Sequence, residues 1–423
     1  MKKRIVLLVV ILFAVSVMPT IAQAKTELRF YYPVQVAGPL ARVIETMVNE
    51  FNAEHPEIVV QAIYSGNYDE TMQRAQTAAM SSNPPEIAVL LAIDLLTLLN
   101  SDIIVPLDEY VADEPEYVQD FFTGFLENSQ YEGKLWSIPF QRSTPLLYYN
   151  KQMFAEAGLD PNRPPQTWQE LLDYAERLTV RGADGNATRY GLNIVTDDTW
   201  MLQAFILQNG AEYCDPEGTA IYLDQKETID ALQFWVDLAN KHRVMPRHRY
   251  YGDASADFVA GQAAMMYNST GSLSFVKNSV NFEFGVAPLP GNKVKAVPTG
   301  GGNFYIFKGL TPEKEQAAWT FIKWMTSPQR VAEWSIASGY IPVRESALKQ
   351  PVLVEYYKEF PQAAVAGQQL PFARREMALN SNQQIRELVL TAIQEALEGT
   401  SSVEESLVQA QRQADRILRP FKR

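Results

Sequence analysis

Cysteine is almost absent from this sequence: among 423 residues only Cys214 carries a thiol. A lone cysteine excludes an intramolecular disulfide and a thiolate metal cluster. Histidine is nearly as scarce. His55 precedes a proline at an expected helix end, and His242 and His248 stand among Lys241, Arg243, Arg247 and Arg249, so all three read as surface residues. No H-E-x-x-H or G-x-S-x-G occurs, and no G-x-G-x-x-G or P-loop pattern follows an expected strand. Cations are the minority, 37 Lys and Arg against 49 Asp and Glu, a net charge of −12. That balance argues against a nucleic-acid partner, whose phosphates need clustered Lys and Arg. No internal repeat or low-complexity tract is present. The 49 carboxylates leave room for a glycosidase-type pair, but nothing singles one out.

What is present begins with an export signature. Lys2-Lys3-Arg4, the apolar run from Ile5 to Val17 and the small-residue site Ala22-Gln23-Ala24 predict a secretory signal cleaved after Ala24. The run is shorter than the ~20 residues of a membrane span, no cysteine marks a lipoprotein, and no later segment is long and apolar enough. The length suggests two or three domains. An exported chain without disulfides must rely on large cores, for which 47% hydrophobic residues suffice.

Strands are expected at Glu27 to Tyr31, Ile58 to Ile63 and Ile87 to Leu91, with helices at Pro39 to Phe51 and Asp69 to Met80 between them. This alternation implies a mostly parallel sheet with helices on its faces, and ligands in such sheets bind beyond the carboxyl ends of the strands. Further on, Tyr131 to Pro139 reads as a hairpin leading to a crossover and Leu146 to Asn150 as a strand. Thr167 to Glu170 reads as a capping box opening a helix to Leu178. A strand at Tyr190 to Val195 and helices at Trp200 to Leu207 and Glu227 to Lys241 follow, then a strand at Ala264 to Tyr267. The stretch Thr299-Gly300-Gly301-Gly302 lets a backbone approach a neighbour closely, and Asn303 to Phe307 is strand-like. Thr311-Pro312 and Ser327-Pro328 both read as capped helix starts, and Gly339 as a helix stop. Gln383 to Leu397 and Val403 to Leu418 close the chain as helices.

Tyr68, Trp200, Tyr267 and Tyr340 stand beside turn residues at expected element ends. Flat apolar faces next to short polar groups suit polyols and sugars, although each ring alone is equally an ordinary core residue.

The glycine stretch resembles the C-terminal third of bacterial extracellular solute-binding proteins of ABC importers. The carriers are Gly301-Gly302, Ala317-Ala318-Trp319-x-Phe321-Ile322-x-Trp324, Ser327-Pro328 and Ser338-Gly339-Tyr340-Ile341-Pro342-Val343. The resemblance recurs at Pro139-Phe140-x-x-Ser143-Thr144-Pro145 to Lys151 and at Gly158 to Trp168, and extends, with gaps, from about Glu27 to the C-terminus. The likeness is greatest to the glycerol-3-phosphate-binding branch. It implies an α/β, two-lobe periplasmic-binding-protein fold of the maltose-binding type, each lobe a mostly parallel sheet flanked by helices. Residues 25–138 plus 296–338 would form one lobe, and 139–295 plus 339–423 the other. The implied protein is a periplasmic monomer that performs no chemistry, holds no cofactor or metal, captures a small solute and delivers it to a membrane ABC permease.

Residue by residue, the resemblance assigns ligand contacts to Tyr68, Ser143, Trp200, Ser269, Gly302, Tyr340 and Arg386. Two departures bear on the ligand. A glutamate that holds ligand hydroxyls in that branch is replaced by Ala92, with Asp94 two residues on, and Arg142 replaces a small polar residue beside Ser143. Asp94 and Arg142 are thus further candidates. Arg142 is either a ligand contact or a solvated or lobe-bridging arginine, and Arg386 either a ligand contact or a helix-surface ion pair. A gained cation and a lost anion favour an anionic ligand, glycerol 3-phosphate or a glycerophosphodiester. An oligosaccharide is the alternative, and a secreted hydrolase the alternative of a different class, which a buried carboxylate pair facing a cleft would support.

Overall fold

A computed structural model describes residues 25–422; the expected signal, Met1 to Ala24, lies outside them. Two five-stranded sheets organise the chain. In the first, Ile58–Tyr64, Thr26–Tyr32 and Ile87–Leu91 pair in parallel, as the alternation predicts. Gly300–Ile306 then inserts antiparallel between Ile87–Leu91 and Ile138–Ser143. The second sheet runs Phe284–Ala287, Pro145–Asn150, Ala263–Ser269, Ala187–Ile194 and Val180–Arg181. Only Ala263–Ser269 and Ala187–Ile194 are parallel there. The two-lobe α/β architecture is as expected, and the pairing within it is mixed rather than mostly parallel. The reason is that Ile138–Ser143 and Gly300–Ile306 are the crossing strands. They reach the first sheet on their way to or from the second, not through a helical crossover.

Local chemistry accounts for the elements that set the site. Ile87–Leu91 is buried along its whole length, as a continuous apolar run in a central strand requires. Helix Leu40–Glu54 buries Leu40, Ile44, Met47, Val48 and Phe51, the helical spacing seen in the sequence. Helix Tyr68–Met80 starts on a reciprocal capping box of Asn67 and Glu70. Thr167 does cap Trp168–Leu178 by accepting from Glu170 N. The predicted reciprocal bond is missing, because Glu170 accepts from Gln166 N and pairs with Arg163 instead. Ser327 likewise precedes Pro328–Ser338 without a side-chain cap bond. Gly339 stops that helix at φ 97°, the left-handed geometry glycine tolerates.

At Gly301, also at φ 97°, a Cβ would lie 1.8 Å from the Gln141 carbonyl oxygen, and the strand register shifts just after it. This position has room only for glycine. Helices Tyr251–Val259 and Pro351–Glu359 and the 3-10 turns Glu345–Lys349 and Pro361–Phe372 lie outside the expected elements, since they lack a clean helical or alternating apolar pattern. Among the described residues no helix is long and apolar enough to cross a membrane.

Candidate functional site

The expected contacts come from the ends of these strands and from the helices that follow. Tyr68 opens its helix, and its ring lies over Gly302, where a Cβ would stand 2.8 Å from the ring. Its hydroxyl donates to Gln141 Oε1 at 2.8 Å. Burial, then the neighbouring Tyr340, raises the Tyr68 pKa well above that of a free tyrosine. Tyr340 emerges after Gly339, stacks on Trp334 at 5.8 Å, and faces Gly271, whose Cβ would stand 2.9 Å from its ring. Ser143 ends its strand opposite Gly300. Ser269 ends its own strand, and its hydroxyl accepts from Gly271 N at 3.1 Å. Tyr68, Gly302, Tyr340, Ser143 and Ser269 thus gather where the two sheets meet. The missing Cβ atoms at Gly302 and Gly271 are what let the two tyrosine rings sit flat against backbone.

Arg142 is not a solvated arginine. It is fully buried, donates to Gly301 O at 3.0 Å and Thr299 Oγ1 at 3.3 Å, and lies over the Phe125 ring. Its Nε has no partner, and burial lowers its pKa. Trp200 is equally committed. Its indole N–H donates to Thr299 O at 2.9 Å, its ring lies on Gly300, and it is 5% exposed.

Arg386 is held by ion pairs to carboxylates of two other segments. Its Nη1 is 2.9 Å from Asp69 Oδ1 and its Nη2 3.6 Å from Asp198 Oδ1. Burial alone would lower its pKa, but Asp198, Asp69, Asp94 and Glu376 together raise it. Asp94 is buried and accepts from Asn382 Nδ2 at 3.3 Å. Burial pushes its pKa up to about 6 against the pull of Arg386. Asp197, beside Asp198, is pushed up to about 7 by burial and then by that neighbour.

Glu376 was missed. It sits in Arg374-Arg375-Glu376, which reads as an exposed polar turn, yet it is 4% exposed and one carboxyl oxygen lacks a partner. Burial raises its pKa to about 8, opposed by Arg142 and Arg386. Gln141, Asp198, Tyr213 and Tyr251 were also missed; Tyr251 donates to Asp198 at 3.2 Å. No local motif marks them, because tertiary packing brings them together from segments distant in sequence. Four carboxyl groups thus act on Arg386, and one of them, Glu376, also on Arg142. The acid lost at Ala92 is thus offset by acids that arrive from segments distant in sequence. Among the described residues no group of three or more His, Cys, Asp or Glu is placed to hold a metal ion.

Comparison with known proteins agrees with this architecture. The profile of bacterial extracellular solute-binding proteins matches residues 46–362. The sn-glycerol-3-phosphate-binding periplasmic protein UgpB of Pectobacterium atrosepticum is 27% identical, across 96% of this chain and 95% of its own length. The protein of the same name from Escherichia coli K12 is 28% identical across 95% and 94%. Among solved structures, UgpB from Mycobacterium tuberculosis in complex with glycerophosphocholine superposes with a TM-score of 0.85 at 26% identity, covering 94% of this chain and all of that one. A maltotriose-bound MalE domain from Bdellovibrio bacteriovorus shares the fold, with a TM-score of 0.82 at 22% identity over 93% of this chain and 100% of its own.

Proposed function

The chain belongs to the bacterial extracellular solute-binding proteins and is a substrate-binding component of an ABC importer, and from that premise we propose that its solute is a phosphate ester of glycerol, with a glycerophosphodiester favoured over the free monoester. The observation that carries this reading is the meeting of Tyr68, Ser143, Ser269, Gly302 and Tyr340 between the sheets, with Arg386 nearby. Hydroxyls suit phosphate oxygens, and a guanidinium offers them a planar fork. The relatives that match nearly end to end carry names that specify glycerol 3-phosphate, and one structure holds glycerophosphocholine. The preference for a diester comes from charge. With the carboxylates of Asp69 and Asp198 around Arg386, a monoanion meets less repulsion than a dianion.

On this reading, capture exchanges half-exposed Asp69 for ligand oxygen at Arg386. The protein works in the periplasm after cleavage at Ala24. Its lobes follow the expected 25–138 plus 296–338 and 139–295 plus 339–423, except that strand Ile138–Ser143 belongs to the first and the crossing falls at Thr144; they close on the solute and present it to a permease. An oligosaccharide is the second reading, favoured by the excess of hydroxyl-accepting carboxyls at Asp94, Asp198 and Glu376 over cations.

Calorimetric titration of the mature chain with sn-glycerol 3-phosphate, glycerophosphocholine and maltotriose separates the readings. Phosphate esters should bind, the diester more tightly. Arg386→Lys should weaken them and Arg386→Ala should weaken them further. Binding of maltotriose alone, or full affinity for phosphate esters in Arg386→Ala, refutes the assignment. Because Asp94 and Glu376 are buried carboxyls near one cleft, the bound ligand should also be recovered and weighed; a cleaved product would indicate a hydrolase.

A further inference from the structure

The second sheet ends on Ala187–Ile194 and the short strand Val180–Arg181. The segment 242–249 runs along that edge: Leu192 N donates to Val244 O at 3.1 Å and Thr196 N to Arg249 O at 2.9 Å. Between this segment and the 181–187 turn opens a cavity of about 500 Å³, and Arg181, Arg243, Arg247, His248 and Arg249 stand in its wall. None of the residues gathered at the cleft lines it. Among the described residues only one of the four guanidinium groups, that of Arg249, is paired with a carboxylate, Asp257 Oδ2 at 2.6 Å. Arg181 and Arg247 are held by neutral partners. Arg181 Nη2 donates to His242 O at 2.9 Å and Arg243 O at 3.3 Å, and Arg247 Nε to Asn240 Oδ1 at 2.7 Å. Arg243 stands at φ 53°, a left-handed geometry that glycine adopts more readily. Three further acids of this flank have partners of their own: Asp184 accepts from Asn186, Glu176 lies 2.8 Å from His242 and Glu398 3.5 Å from His248. The C-terminal end of helix Lys226–Asn240 favours nearby cations, but Arg181, Arg247 and Arg249 belong to other segments. From Leu238 to Gly252 no acid occurs, in a chain where Asp and Glu outnumber Lys and Arg 49 to 37. Large apolar side chains flank the cations: Tyr250 is 63% exposed and Val180 43%.

We propose that this flank is a docking surface for a membrane of anionic phospholipid. Guanidinium groups take phosphate oxygens in a planar fork, and clustered cations are drawn to an anionic leaflet, each worth about fivefold in partitioning. Tyrosine, apolar in its ring and polar at its tip, suits the interface between lipid and water. A free anion would use the guanidinium groups alone and leave Tyr250 and Val180 in water. A substrate-binding component serves a permease set in a membrane. A net charge of −12 would hold this chain away from an anionic bilayer in every orientation but one that presents a basic face. The flank therefore selects which side of the second lobe meets the bilayer. It does so whatever solute the cleft holds.

The test is co-sedimentation of the mature chain with vesicles of phosphatidylcholine alone and of two parts phosphatidylcholine to one part phosphatidylglycerol, at low ionic strength. The wild type should sediment with the mixed vesicles only, and added salt should release it. Arg243→Gln with Arg247→Gln should lower the partition coefficient about 25-fold, and Arg243→Gln alone, an exposed site that tolerates the change should the pair not fold, about fivefold. Tyr250→Ala should lower it too. Lys134→Gln with Lys349→Gln, which removes two exposed cations elsewhere, should leave it unchanged. Equal binding to both vesicles, no binding to either, or equal losses in the arginine and lysine pairs overturns the proposal. Release by inorganic phosphate at constant ionic strength also overturns it, in favour of a free-anion site.

Discussion

Glu376 should make the stability of this protein fall as pH rises, and its removal should reveal the size of that effect. The side chain starts from an ordinary carboxyl pKa of 4.5 and is raised by burial to about 8 in the folded chain. Below pH 4.5 both folded and unfolded states hold the proton, and the group costs nothing by this route. Between pH 4.5 and 8 the unfolded chain ionises while the folded chain keeps its proton, so the native state loses ~1.4 kcal/mol per pH unit. Above pH 8 both ionise and the penalty stays constant. The deficit is about 3 kcal/mol at pH 7 and at most about 5 kcal/mol above pH 8. The opposing pull of Arg142 and Arg386 is already contained in that pKa. Glu376→Gln keeps the shape and cannot ionise; any cost of its amide is the same at every pH. Urea unfolding of both proteins should therefore show the glutamine variant gaining stability from pH 5 to pH 8. A stability difference that is the same at pH 5 and pH 8, or that shrinks as pH rises, refutes the argument.

Other perturbations test the parts around the site. Trp200→Phe leaves Thr299 O without its indole donor and should cost about 1–2 kcal/mol in chemical denaturation; an unchanged midpoint would mean that the bond is not formed in solution. Gly302→Ala places a methyl 2.7 Å from Val89 Cγ1 and 2.8 Å from the Tyr68 ring. It should displace that ring and weaken solute binding at least tenfold, with undiminished affinity in titration as the contrary result. Small-angle scattering should give a smaller radius with saturating solute, and an unchanged radius would count against lobe closure. N-terminal sequencing of exported protein should begin at Lys25.

Much of this was legible before any coordinates. Ile87–Leu91 and Val403–Leu418 match the expected bounds because each carries an unbroken buried run or a strong helical period. The tyrosines at 68 and 340 and Gly302 could be singled out because turn chemistry and close approach leave marks in sequence. The electrostatics could not be read this way. Asp69, Asp94, Asp198 and Glu376 look like ordinary surface acids in their local context, and only tertiary closure brings them round Arg386. Arg142 kept several readings for the same reason: ligand contact, solvated and lobe-bridging arginines look alike in sequence until Thr299 and Gly301 are seen to cover it. Tyr213 and Glu376 carry no spacing signal at all.

The strand Gly300–Ile306 has a consequence for the order of assembly. It lies between Ile87–Leu91 and Ile138–Ser143, both made long before it during synthesis. Until residue 306 has emerged, both strands present unpaired edges, and the buried faces of the first sheet have no completed partner. Pairings so remote in sequence form slowly, because the chain must close long loops before any contact repays their entropy. The first lobe thus cannot mature from its own N-terminal segment. It waits for the second lobe to be threaded, and the two should fold as one late, concerted event instead of in succession from the N-terminus. A fragment ending before residue 300 would expose two open strand edges, the kind of surface on which chains aggregate.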